Sequence, residues 1–134
     1  MQVSSLNLKT DTTDQMIAQL KAGLPTTSFD QLRSSLNLTD HALAKIVQIS
    51  KRTLDRRRLT GRLSTEESER LLRLAQVLDM AIVVLGSREK AEKWLKKPAR
   101  GLGGEIPLDY SDTQLGASEV ITLLGRIAHG VFPG

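Results

Sequence analysis

Apolar residues recur three or four positions apart along nearly all of the 134 residues, and cap residues separate the resulting segments. The alternating β-branched pattern of a sheet is almost missing. The pattern therefore predicts an all-α fold. The predicted helices cover about residues 11–22, a segment beginning after Ser28, and then 40–47, 51–59, 65–85, 88–97 and 117–128.

The longest predicted helix begins with a capping box, because Glu67 follows Ser64 by three residues. Its apolar residues between Leu71 and Leu85 cover a wider arc than a solvated surface helix needs. We expect this helix to be a central strut or a subunit interface.

Two short helices beginning after the N-cap residues Thr39 and Ser50 are separated by about three residues, which is the geometry of a helix-turn-helix. The frame buries five apolar side chains, those of Leu43, Ala44, Val47, Ile49 and Leu54. Gln48 stands at the turn position that favours glycine, so we expect the turn to be distorted or longer than in the standard motif.

Positive charge is concentrated in this segment. The whole chain carries +4, but residues 45–62 hold seven cations against one acid, whereas residues 63–92 hold six acids against four cations. A clustered basic surface next to a helix-turn-helix is typical of binding to a polyanion such as DNA.

With Leu54 buried, the start of the second short helix would project towards the major groove. We assign Lys51, Arg52 and Arg56 to base edges or nearby phosphates, because lysine and arginine bind guanine edges well. The cations that follow are assigned to the DNA backbone. The full predicted DNA-binding set is Ser50, Lys51, Arg52, Asp55, Arg56, Arg57, Arg58 and Arg62. The alternative is a solvated cationic helix neutralised by Glu66, Glu67 and Glu69.

Catalysis has little support in the sequence. Cysteine is absent, and His41 and His129 are the only histidines, without the spacing of a metal site or of a nucleophile with its base. Gly103 and Gly104 predict a tight turn rather than a phosphate loop, since the lysine and hydroxyl of a P-loop are missing. We expect no enzyme activity, no metal and no cofactor. We also expect no export signal and no membrane span, and therefore a cytoplasmic protein.

Several motifs occur together in the order and at the spacing of one family. They are "LAKIVQISKRTLDRR", "VLGSREKAEKWLKKP", "LGGEIPLD", "T-QLG-SEV" and "LLGRIAHGVF". The chain resembles the MbcA/ParS/Xre antitoxins, the partners of RES-domain toxins, over nearly its whole length. It departs from the family at Gln48, where glycine is frequent, and at Tyr110 and Ser111, where two apolar residues are usual.

The resemblance implies an Xre-like helix-turn-helix domain over residues 1–62 that binds the promoter of its own operon. It implies a helical domain over residues 63–134 that supports dimerisation and binds the toxin. RES toxins act on NAD, which they degrade or use to modify a target, and the C-terminal end of the antitoxin covers the entrance to their active site. The implied partners are an adjacently encoded RES toxin, operator DNA, a second copy and a higher toxin-antitoxin assembly.

The end of the chain carries a cation, an imidazole and an aromatic ring where order is normally lost unless a partner binds. The predicted toxin-binding residues are Arg126, His129, Gly130, Val131, Phe132, Pro133 and Gly134. A second function class stays open, namely a stand-alone dimeric repressor or adaptor whose C-terminal half serves only self-association.

Overall fold

The structure is a computed structural model that describes residues 2–3, 6, 8–9 and 12–130, and it confirms the predicted all-α fold. Eight α-helices lie within the described residues. They are α1 (Thr13–Ala22), α2 (Thr26–Ser35), α3 (Asp40–Ile46), α4 (Lys51–Thr60), α5 (Thr65–Leu85), α6 (Arg88–Leu95), α7 (Pro107–Tyr110) and α8 (Gln114–Ala128). A 3-10 turn covers Arg100–Leu102. No described helix combines the length and the apolar character needed to cross a membrane.

A short antiparallel ladder precedes the helices. Strands β1 (Gln2–Val3) and β2 (Leu8–Lys9) pair Gln2 with Lys9 and Val3 with Leu8. Two residues in each strand are too few to show a period of two, so the sequence pattern did not predict this ladder.

Side-chain caps begin several of the helices. The hydroxyls of Thr39, Ser50 and Ser87 each accept a hydrogen bond from the backbone amide three residues later, as the sequence predicted. The capping box at the start of α5 is also present, with Glu67 N donating to Ser64 Oγ at 3.1 Å and Ser64 N donating to Glu67 Oε1 at 2.8 Å.

Two predicted helix starts were wrong by a few residues. Helix α2 begins at Thr26, because Pro25 at φ −64° precedes it and Ser28 is buried inside the helix. Helix α8 begins at Gln114, because Thr113 caps it by accepting from Gly116 N at 3.0 Å.

The chain divides into two compact units, residues 1–75 and 76–134, and the division falls within α5. The predicted domain boundary between residues 62 and 63 lies just before α5 and remains a prediction. In the first unit, backbone hydrogen bonds join the α1–α2 connection to the α4–α5 connection: Leu63 N donates to Leu24 O at 2.9 Å, and Thr26 N donates to Gly61 O at 3.0 Å. A buried bond from Leu24 N to Ser68 Oγ ties the same connection to α5.

The second unit contains the predicted glycine turn. Gly103 and Gly104 both have positive φ, and the turn closes through Gly104 N donating to Ala99 O at 2.9 Å. Ser111, an unusual polar residue for this position in the resembled family, is buried and its hydroxyl donates to Pro107 O at 2.8 Å. That bond satisfies the buried hydroxyl within its own turn of chain.

Candidate DNA-binding and partner-binding surfaces

The predicted helix-turn-helix is formed by α3, residues 47–50 and α4. All five predicted anchors are buried, namely Leu43, Ala44, Val47, Ile49 and Leu54. Ile49 N donates to Ala44 O at 2.9 Å across the turn. Gln48 itself adopts φ +60°, the left-handed conformation that glycine normally supplies at this position. The expectation of a distorted or longer turn remains a prediction.

Four predicted contact residues project from the first part of α4. Lys51, Arg52, Asp55 and Arg56 are exposed, and within residues 12–130 none of the three cations takes part in a described ion pair. Ser50 is also exposed, but its hydroxyl accepts from Thr53 N at 3.1 Å and lies 3.0 Å from Thr53 Oγ1. Ser50 therefore serves α4 as its N-cap.

Arg57 is held by an acid of α5. Its Nε and Nη2 donate to the two carboxylate oxygens of Glu67 at 2.9 and 3.2 Å. The hydrogen bond to Glu67 raises the pKa of Arg57. Burial alone would raise the pKa of Glu67, but the hydrogen bonds and charge of Arg57, together with bonds from Ser64, outweigh it and lower that pKa.

Arg58 joins three helices. It donates to both carboxylate oxygens of Asp40, at 2.9 and 3.2 Å, and to Asp30 Oδ1 at 2.7 Å. Its guanidinium lies 5.7 Å from the centroid of the buried Phe29 ring. The hydrogen bond from Arg58 lowers the pKa of Asp40 despite the opposing effect of burial, and the nearby charge of Arg33 adds to the shift.

The third cation assigned to the DNA backbone also has a partner in the protein. Arg62 Nη1 donates to Gly23 O at 2.8 Å. Contacts of Arg57, Arg58 or Arg62 with DNA phosphates would thus compete with bonds that hold α4 to its neighbours. The alternative interpretation was a solvated cationic helix neutralised by Glu66, Glu67 and Glu69. It holds for Arg57, which Glu67 binds, whereas Glu66 and Glu69 are exposed and have no described ion pair.

A groove of about 510 Å³ lies between α3 and α4. Its buried lining residues are Ala44, Ile49 and Leu54, and its exposed rim carries charges of both signs, among them Asp40 and Lys51. Since the groove borders the exposed start of α4, it belongs to the same candidate surface.

The predicted partner-binding residues lie at the end of α8. Arg126, His129 and Gly130 are exposed, and His129 N donates to Gly125 O at 3.1 Å as the C-cap of the helix. Gly130 has φ +75°, which ends the helix. Val131, Phe132, Pro133 and Gly134 lie outside the described residues.

Sequence reasoning missed Asp30, Asp40 and Arg70. Asp40 was predicted only as the first residue of a helix. Its separation from Arg58 in the sequence does not indicate that the two side chains are in contact. Arg70 Nε donates to Val47 O at 2.7 Å. The two residues are too far apart in the sequence for a helical repeat to predict this contact. Across the described part of the chain, no cluster of three or more histidine, cysteine, aspartate or glutamate side chains could hold a metal ion.

Two family matches cover most of the chain. Residues 15–76 match the Antitoxin Xre-like helix-turn-helix domain, and residues 80–130 match the Antitoxin Xre/MbcA/ParS C-terminal toxin-binding domain. The second match contains Arg126, His129 and Gly130.

Curated relatives agree with these matches. A protein named Antitoxin Xre from Photorhabdus laumondii is 36% identical over 116 residues, covering 85% of this chain and 78% of the relative. Antitoxin Xre from Yersinia enterocolitica is 34% identical over 119 residues, covering 87% of this chain and 80% of the relative. A protein named Prs ADP-ribosylating antitoxin from Sphingobium sp. is 27% identical over 126 residues, covering 87% and 79%.

A toxin-binding domain implies a toxin partner, and a helix-turn-helix with an exposed basic face implies binding to DNA. The motifs read from the sequence, the helical fold, the two family matches and the curated relatives all agree, and the chain belongs to the Xre/MbcA/ParS family of antitoxins.

Proposed function

We propose that this antitoxin neutralises a RES-domain toxin that uses NAD, and that it represses its own operon by binding the promoter. The observation that carries the proposal is the union of two matched domains in one chain, a helix-turn-helix and a toxin-binding domain. The protein itself is proposed to be a regulator without enzyme activity, acting in the cytoplasm where the chromosome is accessible.

DNA contact is assigned to the exposed cations of α4. Lys51, Arg52 and Arg56 have no described ion pair, so they can bind phosphates or guanine edges without breaking a bond inside the protein. Ser50 and Asp55 border the same surface. Arg57, Arg58 and Arg62 are proposed to position α4, because each already binds a partner in the first unit.

Toxin contact is assigned to the end of the second unit. Arg126, His129 and Gly130 are exposed at the C-terminus of α8, where four further residues follow. Phe132 adds an aromatic side chain to the same segment, and we propose that residues 126–134 cover the active site of the toxin. The name of the Sphingobium relative mentions both an antitoxin and ADP-ribosylation. This name supports our proposal that the toxin partner consumes NAD as an ADP-ribose donor.

A homodimer is the proposed assembly. Val83 on α5 and Leu115 on α8 are both largely exposed, at 79% and 75%, which leaves apolar side chains of the second unit available for a second copy. A toxin-bound form would be a larger assembly of the same dimer.

Copurification tests the toxin half of the proposal. The gene is expressed with its immediate neighbour, the complex is purified through a tag on this chain, and the partner is separated and assayed with NAD. We expect a partner that consumes NAD only after separation. Recovery of this chain alone, as a dimer that binds its promoter, would instead establish a stand-alone repressor.

Two variants test how the functions are divided. Deletion of residues 129–134 should abolish copurification and leave promoter binding intact, whereas Arg52→Ala with Arg56→Ala should do the reverse. Lys21→Ala, an exposed substitution on α1, is the control and should change neither activity. Equal loss of both activities in either test variant would contradict this division.

A further inference from the structure

The turn of the helix-turn-helix is held by a side chain from outside the motif. Arg70, on the second turn of α5 within the first unit, donates from Nε to Val47 O at 2.7 Å and from Nη2 to Gln48 O at 3.4 Å. Val47 is the C-cap residue of α3. The guanidinium therefore meets the negative end of α3 and the next carbonyl of the turn at once.

One of the two carbonyls that Arg70 contacts belongs to Gln48, the residue of the motif with an unfavourable backbone conformation. Gln48 has φ +60°, and a residue with a Cβ is disfavoured there because the Cβ approaches a backbone carbonyl. Where glycine would adopt this conformation without cost, glutamine needs the surrounding structure to hold it. Arg70 supplies two donors in the fixed fork that only arginine has.

The direction of the turn determines where the exposed cations of α4 point. Ile49 is 4% exposed, and only Ser50 separates it from Lys51, which Arg52 follows directly. On the same helix as Arg70, one turn earlier, Glu67 binds Arg57. Helix α5 thus contacts the motif at both the turn and the middle of α4.

We propose that Arg70 is a positioning residue for DNA recognition: it holds the left-handed turn at Gln48 and so orients Lys51 and Arg52, without contacting DNA itself. The inference rests on the proposed DNA binding. If Arg70 instead contacted a DNA phosphate directly, Gln48→Gly would not restore the affinity for DNA that is lost when Arg70 is removed.

The test combines substitutions at both ends of the contact. Arg70→Ala should weaken binding to promoter DNA by about tenfold or more, as expected for loss of hydrogen bonds from a charged donor. Adding Gln48→Gly should restore most of the affinity, because glycine holds the turn without help. Gln48→Gly alone should bind like wild type, and Arg70→Lys should fall between, since lysine lacks the fork. Lys93→Ala removes one exposed charge of the second unit and should not weaken binding.

Amide hydrogen exchange gives a readout that does not require DNA. Ile49 N donates across the turn to Ala44 O, so its exchange should accelerate about tenfold in Arg70→Ala and return in the double variant. Ala117 N, which donates to Thr113 O in the second unit, should keep its rate and serves as the reference.

Unchanged affinity in Arg70→Ala, or a loss that Gln48→Gly does not restore, would overturn the inference, and the second result would point to phosphate contact. An unchanged Ile49 exchange rate would overturn it as well. Failure of the wild-type protein to bind its promoter would refute the proposed function, and this outcome is separate because it precedes any substitution.

Discussion

The cations of α4 form two groups that differ in their partners rather than in their chemistry. Lys51, Arg52 and Arg56 are exposed without a described ion pair, whereas Arg57 and Arg58 each bind carboxylates through two nitrogen atoms. The sequence presents both groups as one basic run. The comparison teaches that a run of charge can combine a surface for a ligand with anchors for the helix that carries it.

The anchors should matter most for stability, and Arg58→Ala should have the largest effect. It removes bonds to Asp30 and Asp40 together with the contact with Phe29. Because Arg58 is 32% exposed, solvent weakens these bonds, and we expect a loss of about 2 kcal/mol in the free energy of unfolding.

Urea denaturation monitored by circular dichroism measures this loss. Arg56→Ala, two positions earlier on α4, is the matched control and should change the free energy of unfolding by less than about 0.5 kcal/mol. Equal destabilisation by the two substitutions would remove the distinction between the two groups of cations.

A smaller loss is expected from Glu67→Gln, which takes the charge from the carboxylate that binds Arg57. The side chain of Glu67 is only 8% exposed, and replacing a charged acceptor should cost about 1 kcal/mol. Glu66→Gln is the control, because Glu66 is exposed and has no described ion pair. Thermal unfolding at neutral pH should show a lower midpoint for the first variant only.

Acid should weaken the same anchors. The pKa values of Glu67 and Asp40 are lowered in the folded protein from 4.5 and 3.8, so their contribution to stability is full above those values and is lost as pH falls through the folded pKa values. Unfolding free energies measured from pH 7 down to pH 3 should therefore decline less steeply in Glu67→Gln than in wild type. Parallel pH profiles would contradict the assigned bonds.

The smallest change in the free energy of unfolding is expected for a substitution in the turn of the helix-turn-helix. Gln48→Gly relieves the left-handed conformation but gains freedom in the unfolded chain, so a net stabilisation of about 0.5 kcal/mol should remain. Asn37, at φ +52°, offers a comparison outside the motif, and Asn37→Gly should stabilise less because asparagine tolerates this conformation better than glutamine. A destabilising Gln48→Gly would show that the turn is not strained.

The helices and the motif could be predicted because their signals are local. Thr39, Ser50 and the pair Ser64 and Glu67 mark helix starts within four residues, and Leu54 marks the buried side of α4. Two helix starts were wrong by a few residues: α2 begins after Pro25 and buries Ser28, and α8 begins after Thr113.

The division of the basic run could not be predicted, since it depends on contacts between residues far apart in sequence. Arg58 meets Asp30 across 28 positions and Arg70 meets Val47 across 23. The family resemblance indicated a helix-turn-helix domain and a toxin-binding domain, but it does not distinguish a cation that can bind DNA from one that already holds a helix. The predicted roles of the residues beyond Gly130 remain predictions because they lie outside the described residues.

We propose that Lys51, Arg52 and Arg56 bind DNA, whereas Arg57 and Arg58 hold α4 in the fold. Fluorescence anisotropy with the DNA upstream of the gene, titrated with wild type and with Arg52→Ala/Arg56→Ala, tests it most directly. We predict that the double variant binds this DNA about 100-fold more weakly than wild type, and that its unfolding midpoint is unchanged. The salt dependence of its binding should correspond to about two fewer phosphate contacts. Affinity equal to that of wild type, or a loss matched by unfolding of the variant, would contradict the claim.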